Sequence, residues 1–175
     1  MLPNNDLRLG PIMQNGYLVG NIEAAVHHWT EVMGVGPFFL FDHLKFTEMF
    51  YRGQACTLEM SAAVAYWGHV QIELIQLWND VPSMYREFPA AAMGGLQHVG
   101  AMTHSLADDT ERLRRRGVEP IQWGEVDGIR FAYFATDHHP GGVLELIEHG
   151  PIDDYYAMFR KAADEWDGRD PLRKL

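Results

Sequence analysis

Gln14, Glu73, His98 and Glu145 are the residues whose types and spacing point to chemistry in this chain. Two of them are carboxylates set inside apolar runs, IELI at 72–75 and LELI at 144–147. Read as strands with alternating side chains, Val70, Ile72 and Leu74 take one face while Glu73, Ile75 and Leu77 take the other. In the second run Leu144 and Leu146 oppose Val143, Glu145 and Ile147. Both faces are apolar, and a buried carboxylate must find a cation, a donor network or a local opening to water, or give up its charge. A solvent-facing glutamate on an edge strand is the plain alternative, and it weakens when two occur in matched settings.

The elements that must position these residues repeat. QNGYLV, starting at Gln14, aligns with HVGAMT, starting at His98, and seven residues after each anchor stands a helix-capping type, Asn21 and Ser105. Helical patterns follow, one with Ile22, Ala25, Val26 and Trp29 on its apolar face and the other carrying the polar ADDTERLRRRG. The first stops at Gly-Val-Gly-Pro (34–37), the second at Gly-Val-Glu-Pro (117–120), glycine ending the helix and proline opening the next extended run. Strand-like GPFFLFD, QACTLEMSAAVAYW and HVQIELIQLW complete the first half; PIQWGEV, IRFAYFATD and GVLELIEH complete the second.

Each half therefore reads β-α-β-β-β. Two such modules bury a shared core, which accounts for the apolar residues but not for four polar residues at equivalent strand positions. Pseudo-twofold symmetry would bring Gln14, Glu73, His98 and Glu145 into one cleft. One imidazole, two carboxylates and an amide oxygen form a divalent-metal set, and the absence of thiolates favours a harder ion among Zn, Mn, Co, Ni and Mg.

On these residues the chain resembles the vicinal oxygen chelate superfamily, the fold of glyoxalases, bleomycin-resistance proteins and extradiol dioxygenases. The resemblance covers about residues 11 to 150, through the duplication, HVG, LELIE and GPFFLFD. It implies an α+β fold in which two tandem βαβββ modules pair into an incompletely closed, barrel-like sheet with a cleft, followed by a C-terminal helix. The expected domain plan is one domain over 1–175: module one about 11–79, a linker about 80–95, module two about 96–150 and a helical tail over 151–175. By position, the family's metal ligands fall on Gln14, Glu73, His98 and Glu145, in the order Gln, Glu, His, Glu of animal-type glyoxalase I. Methylmalonyl-CoA epimerase is the other near relative in style. The implied activity is a lyase or isomerase reaction in which the metal holds a carbonyl or enolate oxygen and a carboxylate moves the neighbouring proton. Glu145 is the first candidate base and Glu73 the second. An extradiol dioxygenase, with a two-histidine, one-carboxylate iron site, is countered by Gln14, and a metal-free binding protein of bleomycin-resistance type is countered by retention of the whole ligand set.

Composition narrows the partners. A charge of −10, from 14 Lys+Arg against 24 Asp+Glu, disfavours nucleic acid and anionic lipid. The polar opening MLPNNDLRLG does not read as a signal peptide, and no run approaches the roughly 18 apolar residues of a membrane span, so a cytoplasmic location is expected. Cys56 is the single cysteine. The expected partner is a small carbonyl compound, with a homodimer implied by the resemblance.

Arg52, Arg86 and Arg130 are too scattered to hold the phosphates or carboxylates of coenzyme A or glutathione, whereas Phe38, Phe39, Phe41, Trp67, Trp78 and Trp123 offer an apolar lining where they are not core. Glu59 is expected to face solvent rather than act as an extra base. At least one of His27 and His28, on the first helix, and both His138 and His139 read as surface residues, while His43, His69, His104 and His149 lack usable partner spacing. Tyr85 or Phe88, in the connecting segment, is placed to close over the pocket. In the tail, Tyr155, Phe159, Ala162 and Trp166 form a helical stripe that must be covered, in cis by preference.

Overall fold

The computed structural model describes residues 9–87, 95–135 and 142–175. Strand β1 (Ile12–Leu18) leads into helix α1 (Ile22–Glu31), which starts where the Asn21 side chain accepts from the Ala24 N–H at 2.7 Å. After β2 (Phe38–Phe41) come a hairpin, β3 (Glu48–Tyr51) and β4 (Gln54–Ala55), then the long pair β5 (Met60–Trp67) and β6 (Val70–Leu77). A single turn, α2 (Met84–Glu87), precedes the second half. There β7 (Leu96–Thr103) leads into α3 (Leu106–Arg114), capped by Ser105 accepting from the Asp108 N–H, and then β8 (Pro120–Val126), β9 (Ile129–Ala135) and β10 (Val143–Glu148) follow. Gly34 and Gly117, at φ +66 and +80, occupy the left-handed positions that follow the two helices. The chain ends in α4 (Pro151–Asp164) and β11 (Leu172–Lys174).

The strand order is β11-β2-β5-β6-β1-β7-β10-β9-β8-β3-β4. At its centre β1 and β7 run antiparallel, and each is flanked by the last strand of its own half in parallel, β6 beside β1 and β10 beside β7. Outward from the centre, the order β1-β6-β5-β2 repeats as β7-β10-β9-β8. A flat sheet would separate β5 from β9 by about 24 Å, five strand spacings. Met60 of β5 and Phe131 of β9 nevertheless line one cavity of about 90 Å³, so the sheet curls around it.

The two helices of the repeats cover the convex face. Ile22 and Val26 of α1 pack with Ala63, Ala65, Ile72 and Leu74, and Leu113 of α3 with Ala101, Ala132, Phe134 and Leu146. The concave face holds the largest core, in which Met60, Ile75, Phe131 and Ile147 meet Met84 and Tyr85 of α2 and Ile152 of α4. The alternation expected for the two glutamate strands holds: Glu73 shares its face with Ile75, and Glu145 with Val143 and Ile147, on the concave side.

Three expectations change. QACTLEMSAAVAYW is not one strand: it breaks between Ala55 and Met60, and Glu59 in the gap is exposed. The hairpin β3–β4 is an addition to the β-α-β-β-β plan, and β3 pairs with β8 of the other half. The tail is not wholly helical, because after α4 the chain returns to the edge of the sheet and β11 pairs in parallel with β2. The tail stripe packs in cis: Phe159 is fully buried and stacks on Phe39 at 4.4 Å, Tyr155, still 37% exposed, meets Phe41 at 5.8 Å, and the Trp166 ring packs on Gly36, 2.9 Å from where a Cβ would stand. No described helix is long and apolar enough to cross a membrane.

Candidate metal centre

The central strand pair sets the site. In the antiparallel register Gly16 faces His98 and Gly100 faces Gln14, so each first strand places its polar residue over a glycine two residues beyond the polar residue of the other. A Cβ on Gly16 would stand 2.5 Å from His98 Nδ1, with the rest of the imidazole edge nearer still, and a Cβ on Gly100 would stand 2.5 Å from Gln14 Oε1. The glycines of QNG and HVG therefore make the space that the opposite side chain fills. Glu73 and Glu145 enter from the flanking parallel strands, two residues along from their neighbours Gln71 and Val143.

Three of the four side chains named from the sequence converge, and Gln14 lines the same cavity as Glu73 and Glu145. Ligand-capable atoms of Glu73, His98 and Glu145 lie within 4.8 Å of one another, with His98 Nε2 at 3.3 Å from Glu73 Oε2 and 3.2 Å from Glu145 Oε2. These approaches have the distance of ion pairs without the alignment of hydrogen bonds. Gln14 Oε1, Glu73 Oε2, His98 Nε2 and Glu145 Oε2 are all buried without a hydrogen-bond partner. Orphaned acceptors cost free energy, and the three that meet on Glu73, His98 and Glu145 are an arrangement a cation relieves.

Two buried glutamines complete the geometry. Gln97 Oε1 lies 2.7 Å from His98 Nδ1, and an amide oxygen there accepts the Nδ1 proton, which leaves the Nε2 lone pair facing the carboxylates. Gln97 in turn donates to Met84 Sδ at 2.9 Å. Gln14 Nε2 donates to Gln71 Oε1 at 2.6 Å, which leaves the Gln14 oxygen as its free end, buried without a hydrogen-bond partner. The set of three oxygens and one imidazole nitrogen fits a divalent ion of the harder kind.

Without such an ion, a proton is the available compensation. Burial lowers the pKa of His98, but the adjoining carboxylates of Glu145 and Glu73 outweigh it and lift it to about 9. Burial raises that of Glu73, assisted by the charge of Glu145 and opposed by His98. Tyr85, Tyr133 and Tyr156 are pushed well above the usual phenol range by burial first and then by the two glutamates, so all three hydroxyls stay protonated. Tyr85 donates to Tyr133 at 2.9 Å, and the Tyr133 ring meets His98 edge-on at 5.2 Å.

The site floors the cavity, whose walls include Phe41, Phe46, Val64, Phe131 and Ile147. Of the aromatics suggested as lining, Phe41 alone is among the described walls. Phe38 is core, Phe39 lies under α4, Trp67 and Trp78 are exposed, and Trp123 stacks on Phe50. Among the described residues no Lys or Arg lines the cavity: Arg52 pairs with Glu87, Arg86 with Asp80 and Arg130 with Glu148. Tyr85 lines it, while Phe88, His138 and His139 lie outside the described residues. His27 and His28 are exposed, His43 stacks on Trp78, and His104 stacks on His149. Gln71, Gln97 and Tyr133 were not legible as site residues; the glycine two residues after Gln14 and after His98 is the signal that could have pointed to the close packing there.

Comparisons with known proteins agree with this fold. No curated protein sequence matches the chain. Among solved structures, a hypothetical protein from Bacillus halodurans C-125 superposes with a TM-score of 0.53 at 15% identity, covering 80% of this chain and 94% of its own. Methylmalonyl-CoA epimerase from Mycobacterium tuberculosis gives 0.53 at 14% identity, over 86% and 97%. A Streptomyces coelicolor methylmalonyl-CoA epimerase variant in complex with 2-nitronate-propionyl-CoA gives 0.52 at 15%, over 83% and 98%. At such identities these likenesses establish the fold. The family model for the glyoxalase/bleomycin resistance protein/dioxygenase superfamily matches residues 13–133, more than half of the sequence, and the chain belongs to that superfamily.

Proposed function

We propose that the protein is a divalent-metal-dependent lyase or isomerase that moves a proton next to the carbonyl of a small, apolar substrate. One observation carries this reading: unpartnered acceptors on Glu73, His98 and Glu145 lie within 4.8 Å of one another, and Glu73 and Glu145 line an apolar cavity together with the unpartnered Gln14 oxygen. The bound ion would supply Lewis-acid stabilisation of the negative charge that develops on the substrate oxygen.

The chain's own residues do the rest. Glu145, buried and lining the cavity, takes the proton from the carbon next to the carbonyl, and Glu73 is the second candidate. Phe41, Phe46 and Phe131 exclude water from the reacting carbon. The protonated Tyr133 hydroxyl, which accepts from Tyr85, has its own proton to offer inside the cavity. The missing cation in the described wall favours a neutral substrate: an acyl-coenzyme A would have to leave its phosphates outside this cavity.

Deuterium wash-in from heavy water tests the reaction. With metal-loaded protein and a panel of apolar 2-hydroxy ketones, thiohemiacetals of 2-oxoaldehydes and acyl thioesters, NMR should show exchange next to the carbonyl, lost in Glu145→Gln. Exchange that survives Glu145→Gln but is lost in Glu73→Gln reassigns the base. Oxygen consumption with a catechol and ferrous iron, in place of exchange, would overturn the proton-transfer reading.

A further inference from the structure

The geometry points to Gln71 as a positioning residue that turns the Gln14 amide, so that its oxygen and not its amino group faces Glu73, His98 and Glu145. This rests on the metal-centre reading above. Gln71 lies two residues before Glu73 on β6, is fully buried, and is the Cα partner of Gln14 across the parallel β1–β6 pairing.

An amide has nearly the same shape at its two ends and opposite polarity, acceptor at one and double donor at the other. Two converging carboxylates attract the donor end. Left to them, Gln14 would present its amino group and cancel a ligand. The observed network prevents this. Gln71 Nε2 donates to the Tyr66 hydroxyl at 3.3 Å, which leaves Gln71 Oε1 as the group offered to Gln14, and Gln14 Nε2 donates to it at 2.6 Å. With its amino group held there, the end of Gln14 left for the cavity it shares with Glu73 and Glu145 is Oε1, which has no hydrogen-bond partner.

The second half supplies a comparison. The position matching Gln71, two residues before Glu145, is Val143, and the ligand on that side is the imidazole of His98, whose Nδ1 faces Gln97 instead. A polar side chain thus stands at this position beside the amide ligand and an apolar one in the half that carries the imidazole. The relay continues outward, because Tyr66 packs with Phe159 of α4 and the Arg160 guanidinium sits 4.3 Å from its ring centroid. The C-terminal helix therefore covers the far end of the device that aims Gln14.

The test uses the full chain, Zn²⁺ and Mn²⁺ as probes, and calorimetric titration of the metal-free protein. Gln71→Leu should weaken metal binding by about 10- to 100-fold while circular dichroism shows the fold intact. Gln71→Glu, which keeps an oxygen for Gln14 Nε2, should restore wild-type affinity. In a Gln14→Met background, Gln71→Leu should bring no further loss, because its effect runs through Gln14; an equal loss in both backgrounds would overturn the proposal. A second readout is independent of metal. In metal-free protein the Gln14 side-chain amide protons should be protected from exchange by NMR in wild type and in Gln71→Glu, and unprotected in Gln71→Leu. Unprotected amide protons in wild type would overturn the proposal. A protected amide in a wild-type protein that takes up neither ion would support the orientation while refuting the metal centre.

Discussion

Gly16→Ala is a one-carbon change that should empty the metal centre without touching a ligand. A Cβ there would lie 2.5 Å from His98 Nδ1, with two further ring atoms closer, whereas ordinary van der Waals contact starts at 3.4 Å. The imidazole must retreat by about 1 Å or more, several times the tolerance of about 0.2 Å on a metal–ligand bond. It has little room to retreat, being fully buried, held at Nδ1 by Gln97 and bounded by the Tyr133 ring. Losing the hydrogen-bond partner that orients a ligand costs about 10- to 100-fold in affinity, and displacing the ligand itself should reach at least the upper end. Overpacking costs about 1–3 kcal/mol, offset by about 0.5–1 kcal/mol from removing a glycine from a strand. The net loss, about 0–2.5 kcal/mol, lowers Tm by at most about 10 °C for a chain of this size, so the fold survives. Elemental analysis and calorimetric titration of Gly16→Ala, beside His98→Ala and a Gly20→Ala control where an added Cβ meets nothing within 4 Å, make the assay. Gly100→Ala should cost less than Gly16→Ala, because its Cβ meets the end of the Gln14 side chain rather than a ring. Wild-type metal affinity in Gly16→Ala would refute the reasoning.

Truncation after Gly150 removes Phe159 from its stack on Phe39, Ile152 from the cavity and β11 from the edge of β2; the product should be insoluble or strongly destabilised, and a soluble product with wild-type Tm would contradict the packing described for α4. Stability of the metal-free protein should fall as pH rises. His98, lifted to about 9 from an unfolded value near 6.5, contributes stability that is fully present below about 6.5 and lost as pH rises through about 9, and the raised Glu73 carboxyl acts in the same direction from its lower unfolded value upward. Thermal melts between pH 6 and 9.5 should slope downward for the metal-free protein and lose that slope with metal bound, since the ion binds the deprotonated ligands; a flat metal-free profile would mean that His98 is not held protonated.

Much of the fold was legible because its signals are local and repeated. Asn21 and Ser105 cap the helices, Gly34 and Gly117 follow them, and the strands after each lie close to where alternation puts them. The hairpin β3–β4 was missed because what fixes it, pairing of Glu48–Tyr51 with β8, joins residues more than 70 positions apart. The aromatic lining was misplaced for a related reason. Period-two patterning separates Phe38 from Phe39 but does not say that α4 will cover Phe39, leaving Phe41 on the cavity.

The sequence by itself determined the periodicities, the caps and the order of elements in each half, and it put Gln14, Glu73, His98 and Glu145 forward for one site: a strand's side-chain direction follows from its own pattern, and two like modules would bring like positions together. Only the tertiary structure decided the polarity and the boundary of the site. Which end of Gln14 faces the cluster depends on Gln71 and Tyr66, which nitrogen of His98 is free depends on Gln97, and what walls the cavity depends on how far the sheet curls and on where α2 and α4 close it. These are properties of contacts between distant segments, and no local pattern encodes them.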